Sequence, residues 1–228
     1  MAMNTIIKAR KAVKAHNEGR YEEALKLYGE CMDEGLQDVK CALGYAVLLM
    51  RTGDYPKARE VLIKIQKYPM TDDQKRQLFI DYAACVYRMG ELDKAIQVME
   101  RQHEKNPGGT VYETLGYLYV EAGDFDKALA YNTEALDYDD EDSITLDNLG
   151  QTWYRLGNDK KKAKEYFDRA HALKPRQLDT LYFLAKYDLD AGDNAAAKEK
   201  LEELLEGRFS PLNYASKEKA QALLDGIK

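Results

Sequence analysis

The stretch GYLYVEAGDFDKALAYNTEAL, residues 116–136, decides the fold of this chain. Its composition suits a helix, yet it is broken once, at Gly123 and Asp124. Small residues stand at Gly116, Ala128 and Ala135, with large rings between them at Tyr117, Tyr119, Phe125 and Tyr131. Glycine takes a left-handed backbone without strain, so Gly123 is expected to end one helix. Asp124 can then cap the start of a second, because its carboxylate accepts from the free N–H groups there. Two antiparallel helices joined in this way fold back on each other. Where they cross, a side chain larger than a methyl would hold them apart. That places Gly116 and Ala128 at the crossing and the rings to either side.

The same arrangement recurs along the chain. Gly19, Gly53, Gly90, Gly123, Gly157 and Gly192 are spaced by 34, 37, 33, 34 and 35 residues. Five positions beyond them lie Ala24, Ala58, Ala95, Ala128 and Ala197. Gly157 reaches Ala163 only in six, which reads as one residue inserted in NDKKKA. Seven positions before the glycines lie Ala12, Ala46, Ala83, Gly116, Gly150 and Ala185. Asp54 and Asp193 repeat the capping role of Asp124. Tyr21, Tyr55, Leu92 and Phe125, each two residues beyond its glycine, are expected to plug the turn end. Pro107 and Pro175 end second helices, since proline cannot continue one.

One hairpin cannot bury both of its faces, so neighbours must stack. The expectation is an all-α protein: a single solenoid over residues 1–228 with six helical hairpins. These run over about 5–38, 39–72, 76–108, 109–142, 143–177 and 178–211, and residues 212–228 form a C-terminal capping helix. In that tail Ala220, Leu223, Leu224 and Ile227 share one face, which covers the last hairpin, while Glu218, Gln221 and Asp225 face water.

The segments LGYLYVEAGDFDKALAYNTEAL, 115–136, and LGQTWYRLGNDKKKAKEYFDRAHALKP, 149–175, resemble the tetratricopeptide repeat (TPR). The resemblance covers about residues 5–211 and implies a right-handed superhelix. Repeats two, four and five are strong. The first lacks the usual large residues in its first helix, and the sixth has Asp188 and Asn194 where large residues are expected.

Composition narrows the function. The net charge is −6 and the sequence pI near 5.3, which disfavours a general nucleic-acid binder or a binder of anionic membranes. The start carries no apolar leader, and the longest apolar run, CALGYAVLLM at 41–50, is about half a membrane span. A soluble, cytoplasmic protein is expected. Cys31, Cys41 and Cys85 are too few and too scattered for a disulfide framework or a zinc site and read as core thiols.

His16, His103 and His171 have no second ligand at helical spacing and read as solvated. The acidic run DYDDEDS, 137–143, lacks the glycine and glutamate of a calcium loop, because Asp142 and Asn148 stand there. Lys160, Lys161, Lys162 and Lys164 read as a solvated face, and Trp153 as packing. No nucleophile elbow or phosphate loop is present, so neither an enzyme nor a cofactor or metal site is expected.

The resemblance implies that first helices line a concave face that receives a peptide or partner segment. Mapped from the small residue of each first helix, that face offers Lys40 and Arg51, then Tyr87 and Arg88. It continues with Glu113 and Tyr117, then Asp147, Gln151 and Tyr154, and last Tyr182 and Lys186. Glu121, Arg155, Asp179 and Asp190 map beside them. The tyrosines would serve as anchors, since rings bury much area with little entropy loss. Cations in the first three repeats and acids in the last three would orient a bound peptide. Some family members clamp a chaperone's C-terminal carboxylate with lysines, asparagines and an arginine. The matching positions here include Ala9, Val13, Val47, Ile80 and Ala84, then Glu113, Tyr117, Gln151, Tyr182 and Lys186, so no such clamp is expected. The leading reading is a non-catalytic scaffold that binds a protein or peptide. The alternative is a self-assembling module, such as a homodimer.

Overall fold

The computed structural model describes residues 3–227. Among them are thirteen α-helices, one π-helical turn and no strand. The helices come in antiparallel pairs: α1 (Met3–Asn17) with α2 (Tyr21–Asp33), α3 (Val39–Arg51) with α4 (Tyr55–Ile65), and α5 (Asp72–Arg88) followed by α6 (Leu92–Lys105). Then come α7 (Gly109–Ala122) with α8 (Phe125–Tyr138), α9 (Ser143–Gln151) with α10 (Lys160–Leu173), and α11 (Leu178–Asp190) with α12 (Asn194–Leu205). The last helix is α13 (Lys217–Asp225).

Local chemistry sets the boundaries. Gly123 ends α7 at φ +80°, the left-handed region open to glycine. The Asp54, Asp124 and Asp193 carboxylates each accept from a backbone N–H of the first turn that follows, those of Lys57, Lys127 and Ala196, at 3.0–3.1 Å. Helices α6 and α10 stop two residues short of Pro107 and Pro175. All ten alanines of the repeating pattern are fully buried, and so are Gly116 and Gly150.

The chain falls into two compact units, Met1–Gln102 and His103–Lys228. Each has its own core. In the first, Tyr28, Leu48, Leu62, Ile65 and Leu78 are sealed from solvent. In the second, Leu115, Leu118, Leu146, Leu149, Phe167 and Phe183 are.

Five expectations are corrected. Gly157 does not cap a helix with a left-handed turn: its φ is −80°. The residue in that conformation is Asn158, φ +52°, the one non-glycine with positive φ among the described residues. The extra residue lies before the turn, not after it. It is absorbed by the π turn, Thr152–Leu156, where the Gly157 N–H donates to the Thr152 carbonyl at 3.0 Å. Asp159 then caps α10 through the Lys162 N–H at 2.9 Å, and Ala163 falls five places beyond Asn158, as the pattern requires.

Tyr21 is exposed, with its ring edge-on to His16 at 6.1 Å, whereas Tyr55, Leu92 and Phe125 are half-buried. The histidines are half-buried rather than solvated. His103 sits edge-on to Tyr112 and Tyr131, with ring centroids 4.9 and 5.3 Å away. Residues 212–216 are not helical, and α13 begins only at Lys217, capped by the Ser216 hydroxyl. Its apolar face does pack as expected: Ala220 is buried and Leu223, Leu224 and Ile227 lie against the last core cluster.

Candidate partner-binding face

In the second unit, the first helices α7, α9 and α11 carry a connected ladder of polar side chains. Asp147, Gln151 and Arg155 follow one another at four-residue spacing, which lines them up along one helical face. The Gln151 amide donates to Asp147 Oδ2 at 2.7 Å and approaches Asp179 Oδ2 at 3.5 Å. The Gln151 Oε1 accepts from Arg155 Nη1 at 3.0 Å, and the same nitrogen pairs with Glu121 on α7 at 2.6 Å. From α11, the Thr180 hydroxyl donates to Asp147 Oδ1 at 2.6 Å. Asp179 accepts two backbone donors from beyond α12, the N–H groups of Tyr214 at 3.0 Å and Ala215 at 2.9 Å.

Burial changes the charge of this ladder. Asp147 is 3% exposed, and burial, then the nearby Asp179, pushes its carboxyl up to about 7. Burial also raises Asp179, against the pull of the Ala215 and Tyr214 N–H groups. Glu113 is pushed up to about 7 by burial first and then by Asp142 and Asp139. Glu121 is paired with Arg155, and Asp190 with Lys160 at 2.8 Å. The acids mapped onto the last three repeats are therefore either buried, with their carboxyls raised, or paired with a cation of the same unit.

The mapped residues separate by exposure. Tyr117 and Tyr182 are 4% and 7% exposed, and Asp147 and Gln151 are buried with them, so these four form the wall of the face. Tyr154, Lys186 and Glu113 are half-buried and accessible. The Lys186 ammonium lies 4.9 Å from the Tyr154 ring centre and 5.8 Å from that of Tyr182. In the first unit Lys40, Arg51 and Arg88 are exposed and Tyr87 is half-buried. Arg51 approaches His16 Nε2 at 3.4 Å, and Arg88 lies 5.9 Å from the Tyr55 ring centre. Sequence reasoning missed Thr180 and Tyr214; neither carries a local signal, because each acts on a residue more than thirty positions away.

Other candidates resolve into packing. Trp153 meets Phe125 edge-on at 5.1 Å, under the Lys162 ammonium at 3.8 Å. Lys164 pairs with Asp168 at 2.7 Å. The three cysteines are buried and free. Among the described residues no group of three or more His, Cys, Asp or Glu side chains is arranged to hold a metal ion. None of the helices among them is long and apolar enough to cross a membrane.

Stacked hairpins with methyl-sized crossings agree with the comparisons to known proteins. Tetratricopeptide-repeat family models match residues 15–74 and 113–177, together more than half of the chain. This chain belongs to the tetratricopeptide-repeat family. Repeats of this family generally serve as non-catalytic scaffolds for contact between proteins.

The TPR chain is 25% identical over 125 residues to the BBSome complex member BBS4 of Bos taurus, a match that takes in 53% of this chain and 23% of that protein. It therefore spans less than a quarter of that relative's length. Among solved structures, a tetratricopeptide repeat protein from Parabacteroides merdae ATCC 43184 superposes with a TM-score of 0.81 at 12% identity. That likeness covers 98% of this chain and 84% of the other. YrrB, described as a TPR protein with an unusual peptide-binding site, gives a TM-score of 0.53 at 18% identity over 77% of this chain and 89% of its own. At these identities the likeness is one of fold, the α-solenoid of helical hairpins.

Proposed function

We propose that this TPR protein is a non-catalytic scaffold whose first helices receive an extended segment of another protein. The observation that carries this reading is the face formed by α7, α9 and α11. There, half-buried Tyr154 and Lys186 stand over a wall of buried Tyr182, Gln151 and Asp147. A pre-packed wall holds the accessible groups in place, so little conformational entropy is lost when a segment docks. Lys40, Arg51, Tyr87 and Arg88 are the matching candidates of the first unit, and Glu113 and Tyr117 complete the set in the second. The partner is a protein or peptide, with neither nucleic acid nor membrane required.

The test is capture from a native lysate on the immobilised full chain, compared with a Tyr154→Ala/Lys186→Ala variant of equal helicity. The expected result is loss of the main captured protein by the variant. An unchanged catch rejects this face.

The self-assembly alternative has one observation behind it: Met3, Ile6 and Ile7 are exposed on α1. Sedimentation across a hundredfold range of about micromolar concentrations separates the two, since a concentration-independent monomer rejects self-assembly.

A further inference from the structure

We infer that the segment 209–216 is a built-in, displaceable occupant of the partner-binding face. The partner segment that replaces it is an extended peptide carrying an aromatic ring followed by a small residue. This rests on the reading of that face given above and names its ligand chemistry.

The segment departs from the repeat. In the two preceding hairpins the chain passes from the second helix to the next first helix through residues 139–142 and 174–177. After α12 it instead runs irregularly over residues 206–216 before α13 begins. Within that run, Tyr214 and Ala215 give their successive backbone N–H groups to the two oxygens of Asp179. Any peptide can offer such a pair, so this contact fixes the position of a backbone and leaves its sequence free. Asp179 is buried, so losing both donors is costly and a vacated site favours another pair.

Selectivity comes from the ring. Tyr214 stacks on Phe183, with centroids 5.3 Å apart and planes 20° apart, beside Tyr182 at 5.9 Å. The Arg155 guanidinium lies 4.1 Å from the ring centre. Arg155 belongs to the preceding hairpin, so the ring reaches back over the mapped face instead of merely closing the last repeat. Ala215 is buried, so a small side chain is the one this position already holds.

The segment lies outside any helix, so no helical hydrogen bonds hold it. Its bonds from Ser210 N–H to Asn213 Oδ1 and from Leu212 N–H to Ser210 Oγ are internal. Apart from Ala215, residues 209–216 are half-buried or exposed. A competitor must match the Asp179 carboxylate and the ring site, and must also displace Phe209 from the last core cluster and the Lys219 ammonium, which donates to the Tyr214 carbonyl at 2.8 Å and lies 3.4 Å from its ring centre.

The probe is a fluorescein-labelled synthetic peptide with the sequence of residues 208–216, RFSPLNYAS, titrated by anisotropy against the full chain. Removal of the internal ring by Tyr214→Ala is expected to tighten peptide binding by about tenfold or more, because the competing occupant is weakened. The same peptide with alanine in place of its tyrosine should show no such gain, and adding Asp179→Asn to the variant should abolish the gain. Equal affinity of the wild-type and Tyr214→Ala chains for the probe overturns the inference, as does absence of binding to both. Should Tyr214→Ala fail to fold, hydrogen exchange on the wild-type chain decides. The Tyr214 and Ala215 amides are expected to exchange about a hundredfold faster than those in the middle of α11, and equal rates overturn the inference. Failure here leaves the broader reading intact, because the lysate test turns on Tyr154 and Lys186 and does not involve Tyr214.

Discussion

Gly116 and Gly150 hold the same place in their hairpins but answer to different partners. A Cβ on Gly150 would lie 2.6–2.9 Å from the ring of Phe167, which is fully buried and stacked on Phe183 at 4.8 Å. With no room for that ring to retreat, Gly150→Ala should lower unfolding free energy by about 1–3 kcal/mol, read from urea melts. At Gly116 the matching residue is Asn132, whose amide donates to the Gly116 and Ala128 carbonyls while its Oδ1 has no hydrogen-bond partner. A Cβ on Gly116 would collide with that oxygen. Pairing Gly116→Ala with Asn132→Ala should therefore cost less than the sum of the two, with a coupling of about 1 kcal/mol in a double-mutant cycle.

The adjacent residues Gly157 and Asn158 reverse the expectation drawn from spacing alone. Asn158→Gly should raise stability by up to about 1 kcal/mol, since it relieves a left-handed backbone. Gly157→Ala should lower it, because its Cβ would come within 2.6 Å of Phe125 and 2.9 Å of Trp153. Urea melts of the two variants check both signs.

At the scale of the element, irregular features hold the regular ones in register. The π turn absorbs one residue so that α10 still packs on α9, with the Phe167 ring against Gly150 and Ala163 buried. The acidic run before α9 has a related role. Asp142 accepts from the Ile144 and Thr145 N–H groups at 3.1 and 3.0 Å and from the Thr145 hydroxyl at 2.6 Å. Asp142→Ala should therefore cost about 1–2 kcal/mol, seen as a lower melting temperature. Trp153, the single tryptophan of the chain, reports the event from within the same hairpin. The sixth repeat keeps its hairpin despite Asp188, because Lys200 on α12 pairs with that carboxylate at 2.7 Å.

At the scale of the molecule, buried carboxylates tie stability to pH. Asp147 releases its proton near 3.8 when unfolded and keeps it up to about 7 when folded. Between these values the folded chain binds more protons, so stability falls as pH rises through the window. Carboxylates with lowered values, such as Glu34, Glu91 and Asp190, act below their ordinary 3.8–4.5 and so outside most of it. Melting followed by Trp153 fluorescence should give a lower midpoint at pH 7.5 than at pH 5 (the first lies just above the window, the second about one unit inside its lower edge), and Asp147→Asn should shrink the difference. A midpoint that rises over that range in the wild type sinks this account.

The repeat was legible in the sequence because it is written in steric rules that act locally. Methyl-sized crossings, aspartate caps and terminating prolines each depend on residues within a helical turn or one hairpin, and they stand where the 34-residue pattern puts them. The candidate face was legible only as a set of positions. Periodicity says which side of a helix a residue occupies, but burial and charge are set by everything packed against that side. Tyr117 and Tyr182 are walled in while Tyr154 stays accessible, although all three were mapped as equivalent anchors. Asp147 holds its proton because packing buries it and brings Asp179 of the next hairpin beside it, and Asp179 is satisfied by a segment that begins only after α12. Those contacts join residues 32–36 positions apart, and no local pattern records such meetings; only the packed chain brings them about.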